Sequence, residues 1–152
     1  MFRLLLISLV LAALVGPAAA GDAKVSPEDE AGIRAAALDY VEGYYEGNPD
    51  RMERALHPHL AKRIARTDAN GRTRVDQMSA MELVQIIRLG TGKNIPKDKQ
   101  VKNVTILDVF GNTASVKAEM LEWVDYMHLA KVNGQWKIIN VLWEMKPKPQ
   151  PQ

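Results

Sequence analysis

Apolar residues follow three rhythms along this chain. Residues 4–15 are apolar almost throughout, broken only by Ser8. Between residues 33 and 89 apolar side chains recur at helical spacing, and from 101 to 144 they alternate with polar ones. Each rhythm predicts a different kind of element.

The helical part is punctuated clearly. Ser26-Pro27-Glu28-Asp29 supplies an N-cap serine, a proline at the first helical position and acids facing the positive end of the helix dipole. Behind it Ile33, Ala37, Tyr40, Val41 and Tyr44 form one apolar face, and Gly47 ends the helix. Asn48-Pro49 opens a second, short helix carrying Met52, Ala55 and Leu56, which the proline of His57-Pro58-His59 stops. Residues 60–66 alternate in part and Asn70-Gly71 is a turn pair, predicting a short hairpin over 60–77. Ser79 and Glu82 form a capping box ahead of Leu83, Val84, Ile86, Ile87 and Leu89. That third helix closes at Gly90 and Gly92, and residues 93–100 read as a polar loop.

The period-two part predicts a four-strand meander. Gly111-Asn112 and Asn133-Gly134 are two-residue turns joining 101–110 to 113–121 and 124–132 to 135–144. The order of elements predicts an α+β fold, with about three N-terminal helices laid on one face of a curved antiparallel sheet. A turn at Asn133-Gly134 pairs Lys131 with Trp136, Leu129 with Ile138, Met127 with Asn140 and Asp125 with Leu142 on one face. The other face then carries Tyr126, His128, Ile139, Val141 and Trp143. Neither face is polar enough to stay wet, and the helices can cover only one. A second copy covering Tyr126, His128, Ile139, Val141 and Trp143 would give a homodimer through the sheet.

The chain of 152 residues suits one domain, expected over 27–145. A net charge of +2 and the scattered basic residues Lys62, Arg63, Arg66, Arg72 and Arg74 look like a solvated strand face, not a nucleic-acid groove. The absence of cysteine rules out disulfides, a thiol nucleophile, cysteine-ligated zinc and a lipoprotein anchor. Residues 1–20 read as a signal peptide: Arg3 for the positive start, the apolar run, then Gly16-Pro17 and Ala18-Ala19-Ala20 for cleavage. Twelve residues span about 18 Å as a helix, short of a hydrocarbon core of about 30 Å. Cleavage would leave no stable membrane anchor and a periplasmic or secreted protein. Residues 21–26 are expected to be mobile, as is the Pro-rich tail over 146–152.

The LHPHL segment at 56–60, the capped third helix and the ending DYMHLAKVNGQWKIINVLW resemble the nuclear transport factor 2-like superfamily. Within it, the chain is most similar to a branch of small bacterial proteins named for lumazine binding. The resemblance implies a cone: a strongly curved sheet wrapped around helices, with a pocket at the open end and dimers often formed through the sheet. It also implies three kinds of function, since the superfamily holds ketosteroid isomerases, polyketide cyclases and dehydratases, and members that only bind or scaffold.

Candidate pocket residues are Tyr44, Met78, Trp123, Asp125, Asn140 and Leu142. Asp125 is the candidate catalytic residue, because a carboxylate inside such a cone can act as general base toward a carbon acid. Its bland counterpart is an acid at a strand start, bonded to a backbone amide or a nearby Lys or Arg. Asn140 could orient a ligand carbonyl, and the tyrosines could donate to an oxyanion or simply pack. His57 and His59 lack an evident third ligand, so no metal is expected, and no cofactor motif is present. The isomerases' acid and tyrosine pair and the dehydratases' His and Asp pair have no matching positions. The expected function is therefore an exported, non-catalytic binder of a small apolar or aromatic molecule. The alternatives are an isomerase or lyase using Asp125, and a dimeric scaffold with a filled cone.

Overall fold

The computed structural model describes residues 25–148. The expected signal peptide at 1–20, and parts of the expected mobile start and Pro-rich tail, lie outside the described residues.

Helix α1 (Pro27–Glu46) is capped by Ser26, whose hydroxyl accepts the Asp29 amide at 3.0 Å. It ends at Gly47 in the left-handed conformation. Helix α2 (Pro49–Ala55) follows at once, capped by Asn48. Arg51 of α2 reaches back to Asp39, Glu42 and Glu46 of α1, fixing the two helices together. A three-carboxylate clamp on one guanidinium is stiffer than separate surface pairs, because one planar fork sets all the bonds. Helix α3 (Ala80–Arg88) opens with the expected capping box, both hydrogen bonds of which are present.

Six strands form one sheet in the order β2-β1-β6-β5-β4-β3. They are β1 (Leu56–Thr67), β2 (Thr73–Ser79), β3 (Asn103–Phe110), β4 (Thr113–Glu119), β5 (Trp123–Val132) and β6 (Gln135–Met145). The expected hairpin over 60–77 is present and longer, with β1 and β2 paired from Ala61/Ser79 to Thr67/Thr73. One feature departs from an all-antiparallel sheet. Strand β1 runs parallel to β6, inserting the first hairpin beside the end of the meander. The sheet curves without closing, and the helices fill its inner side. Ile33, Ala37, Tyr40 and Val41 of α1 and Leu83, Val84 and Ile87 of α3 pack there against Val116, Met127, Leu129, Ile138 and Val141. The result is an α+β cone.

The β5–β6 hairpin corrects the expected register. Asn133 (φ 50°) and Gly134 (φ 79°) make the turn, and the expected pairs hold as far as Leu129/Ile138. A bulge then inserts Ile139, and His128 faces Asn140. An extra residue in one strand reverses the side to which every later side chain on that strand points. Val141 and Trp143, expected on the dimer face, therefore turn inward, Val141 fully buried and Trp143 partly so. Asn140 and Leu142, expected in the pocket, move to the outer face, where Leu142 is 55% exposed. The bulge explains why both faces of β6 looked apolar: its apolar face changes parity halfway.

Candidate functional site

Between the helices and the inner side of the sheet lies a cavity of about 250 Å³. Its walls include Tyr40 and Tyr44 from α1, Met52 from α2, and Leu83, Ile86 and Ile87 from α3. The sheet contributes Lys62 from β1, Met78 from β2, Trp123 from β5, and Trp143 and Met145 from β6. Glu122 and Thr91 complete the lining. The bulge at Ile139 and the position of Trp123 at the start of β5 are what bring the two tryptophans to the same wall. Their rings meet edge to face with centroids 6.1 Å apart, and Tyr44 packs edge-on against Trp123 at 4.9 Å.

Lys62 is the one cationic side chain in this wall, and it is only 5% exposed. Its position follows from strand geometry: Leu60, Lys62 and Ile64 share the inward side of β1. The ammonium donates to the Tyr40 hydroxyl at 2.6 Å and to Asp125 Oδ1. The other carboxylate oxygen, Oδ2, accepts from the Trp123 indole at 2.8 Å. Nζ also stands 4.7 Å from the centre of the Trp143 ring, within cation–π range. Among the described residues no buried side-chain polar atom lacks a partner, so every charged atom of this pair has at least one.

Two opposed effects act on Lys62. Burial pushes its pKa down, and the neighbouring carboxylate pushes it back up; burial wins. Burial and the charge of Asp125 together hold the Tyr40 hydroxyl well above its ordinary range, so it remains a neutral donor. Tyr44 is raised too, first by burial and then by Glu122 and Tyr45. The cavity therefore presents two phenols and one ammonium whose charge Asp125 balances, with the Glu122 carboxylate and the Thr91 hydroxyl also in its lining.

The expected pocket residues divide. Tyr44, Met78 and Trp123 line the cavity. Asp125 is fully buried behind Lys62 and Trp123, outside the lining. Its neighbours match the bland expectation for this acid, a bond to a nearby lysine. Asn140 lies on the outer face, accepting from Arg63 at 3.0 Å and meeting His128 Nδ1 at 3.3 Å. Leu142 sits there beside Tyr126. Of the expected dimer-face residues, Tyr126 and His128 are outward and exposed, and Ile139 lies at the bulge beside a shallow outer groove shared with His128 and Asn140. His57 and His59 meet edge to face at the start of β1, and His57 Nδ1 accepts the His59 amide. Among the described residues no three of His, Asp or Glu converge as metal ligands would. No helix among them is long and apolar enough to cross a membrane.

Sequence reasoning missed Lys62, Tyr40 and Trp143 as cavity residues. Beside Arg63 and Arg66, Lys62 reads from the sequence as part of a wet face. The signal was its place between Leu60 and Ile64 at period two, which puts a lysine on an apolar side.

The family model described as "Putative lumazine-binding" matches residues 28–144. No curated protein sequence matches the chain. Solved structures resemble it at low identity. A nuclear transport factor 2-like protein of unknown function from Silicibacter pomeroyi shares 15% identity at a TM-score of 0.62, covering 78% of this chain and 97% of its own. One from Methylobacillus flagellatus shares 22% at a TM-score of 0.61, covering 82% and 97%. One from Shewanella baltica shares 17% at a TM-score of 0.57, covering 82% and 100%. At such identities these neighbours speak for the fold alone, while the family model spans most of the sequence. The chain belongs to the family whose model is described as "Putative lumazine-binding", and its fold is nuclear transport factor 2-like.

Proposed function

We propose that this protein is an exported, non-catalytic binder of a neutral, planar molecule of one or two rings. The observation that carries the reading is the cavity itself: aromatic and aliphatic walls around one buried, charge-balanced ammonium. Its volume of about 250 Å³ lies below the roughly 300–1,000 Å³ of sites for drug-sized molecules, which favours a small ring system. Asp125 already neutralises Lys62, so an anionic ligand would add an uncompensated buried charge. A neutral ring with one acceptor atom would take the remaining Lys62 proton and lie against Trp123 and Trp143. Lumazine, named in the family's description, is a bicyclic dione of that shape and is the natural first probe.

Non-catalysis is favoured over Asp125 as general base toward a bound carbon acid, because both Asp125 oxygens face protein partners, one Lys62 and one Trp123. An open cavity also speaks against a scaffold with a filled cone. Export rests on the Arg3 start, the apolar run and the Ala18-Ala19-Ala20 site. Dimerisation through the outer face of the sheet rests on Tyr126 and Leu142, paired neighbours that are 49% and 55% exposed.

Native mass spectrometry of the protein from the exported fraction of its own host tests all three parts. The expected result is a dimer of chains beginning at Gly21, each carrying one small retained molecule. Chains that keep Met1 would contradict export, and a monomer would contradict the sheet dimer. A retained molecule that is an anion or a long flexible chain would contradict the ligand class.

A further inference from the structure

We propose that Lys62 captures carbonyl compounds: the cavity takes a planar aromatic aldehyde and holds it as a protonated imine on Nζ, with Asp125 as its counter-ion. The inference rests on the reading of this cavity as a ligand site and goes beyond it, from shape to bond formation.

Three features of the geometry support it. Lys62 is part of the cavity wall, so a carbonyl carbon held among Tyr44, Trp123 and Trp143 meets its nitrogen directly. Asp125 and Tyr40 bond two of the three ammonium protons, and the third has no hydrogen-bond acceptor among the described residues. A carboxylate therefore stands in hydrogen-bond contact with the nitrogen that must lose protons, and a phenol stands beside it. The third feature is electrostatic. An ammonium and a protonated imine carry the same single charge, so the buried pair with Asp125 survives the reaction without burying a new charge. Condensation to a neutral imine would instead strand the carboxylate.

The step balances within the site. Lys62 passes a proton to Asp125, and the freed nitrogen lone pair bonds to the carbonyl carbon while the C=O π pair moves to oxygen. A proton transferred from nitrogen to that oxygen gives a carbinolamine. Asp125 returns its proton to the hydroxyl, the C–O bond breaks, water leaves, and the nitrogen lone pair closes the C=N bond. In sum, ammonium and aldehyde give protonated imine and one water, with no change of oxidation state. Burial assists the first transfer, since it weakens the hold of Lys62 on its proton. A desolvated lysine is the form in which amines act as carbonyl nucleophiles.

The test uses the full chain with 2-naphthaldehyde and sodium cyanoborohydride, followed by peptide mapping. The unreactive 2-naphthalenemethanol serves as a separate binding probe, read by tryptophan fluorescence. The expected result is a reduced naphthylmethyl adduct at Lys62, formed about tenfold or more faster than at the exposed Lys97 and Lys99, because the cavity holds the two groups together. Lys62→Arg keeps a cation for Asp125 and should yield no cavity adduct. If the alcohol binds but Lys62 reacts no faster than Lys97, the capture inference is wrong and the binding reading stands. If the alcohol does not bind and Lys62 is not labelled, both are wrong. Labelling of wild-type Lys62 decides the matter even if the variant fails to fold.

Discussion

The Lys62 ammonium meets the Asp125 carboxylate across strand β6, so two residues 63 positions apart join the inserted hairpin to the meander. Neither side chain reaches water to any useful extent. Such a pair adds little net stability when intact, because desolvation offsets the attraction, but breaking it leaves a bare buried charge. Asp125→Asn or Lys62→Met alone should each cost about 3–5 kcal/mol. The double variant should cost markedly less than the sum, with a coupling of about 2 kcal/mol or more. Urea denaturation of the four proteins checks this, and additive losses would mean the two charges do not depend on each other.

Asp29 makes a different kind of link, at the start of α1. Its carboxylate accepts from Lys131 at 2.7 Å and from the Trp136 indole at 2.9 Å, tying the helix to the β5–β6 hairpin. The bond from Lys131, then those from Trp136 and Ser26, hold its pKa at about 2. A carboxyl whose folded pKa is depressed contributes stability above its unfolded value, near 3.9, and loses it as pH falls through the folded one. The difference in stability between wild type and Asp29→Asn should therefore be constant above about pH 5 and shrink between about pH 4 and 2. Thermal melts across pH 2 to 7 (roughly the range of that titration) would show it. A difference that does not change with pH would contradict the assignment.

Gly92 supports the cavity from outside. It has φ +86°, and a Cβ there would lie 2.5 Å from the Tyr44 carbonyl oxygen and 2.6 Å from the Tyr44 ring. Gly90 has a similar φ of +90° with nothing within 4 Å of its Cβ position. Gly90→Ala thus measures backbone strain alone, about 1 kcal/mol or somewhat more. Gly92→Ala should cost more than Gly90→Ala, and it alone should alter the emission of Trp123, against which Tyr44 packs. Equal effects of the two substitutions would argue that Tyr44 is not held by this contact.

The outer face makes its own prediction. Tyr126→Glu or Leu142→Glu should turn a sheet-to-sheet dimer into a monomer in sedimentation while leaving the fold intact, since both side chains are half exposed within one chain. Unchanged association in both variants would place the contact elsewhere.

The elements were legible in the sequence where local chemistry decides them. Ser26, Asn48 and the Ser79/Glu82 box cap helices because their oxygens satisfy amides that a helix leaves open, and Asn133-Gly134 turns because both residues tolerate positive φ. The site was legible only in part. Tyr44, Met78 and Trp123 are sequence candidates that line the cavity, although a tyrosine or methionine at such spacing reads equally well as core. Trp143 and Leu142 exchanged sides because a bulge at Ile139 has no residue signature of its own, and its effect spreads to every position after it. Lys62 was hidden for another reason. A lysine reads as solvated unless its partner is known, and its partner, Asp125, arrives from a strand that sequence order does not place beside it.

The most direct test of the cavity is a titration read by the emission of Trp123 and Trp143, which form its wall. The titrants are lumazine and a panel of neutral one- and two-ring heteroaromatics, used on wild type and on Ile86→Trp, whose larger side chain would fill the space. Saturable, one-to-one quenching by lumazine or another member of the panel, lost in Ile86→Trp, is the predicted result. No saturable quenching by any member, or quenching that survives unchanged in Ile86→Trp, would contradict the assignment of this cavity as the binding site.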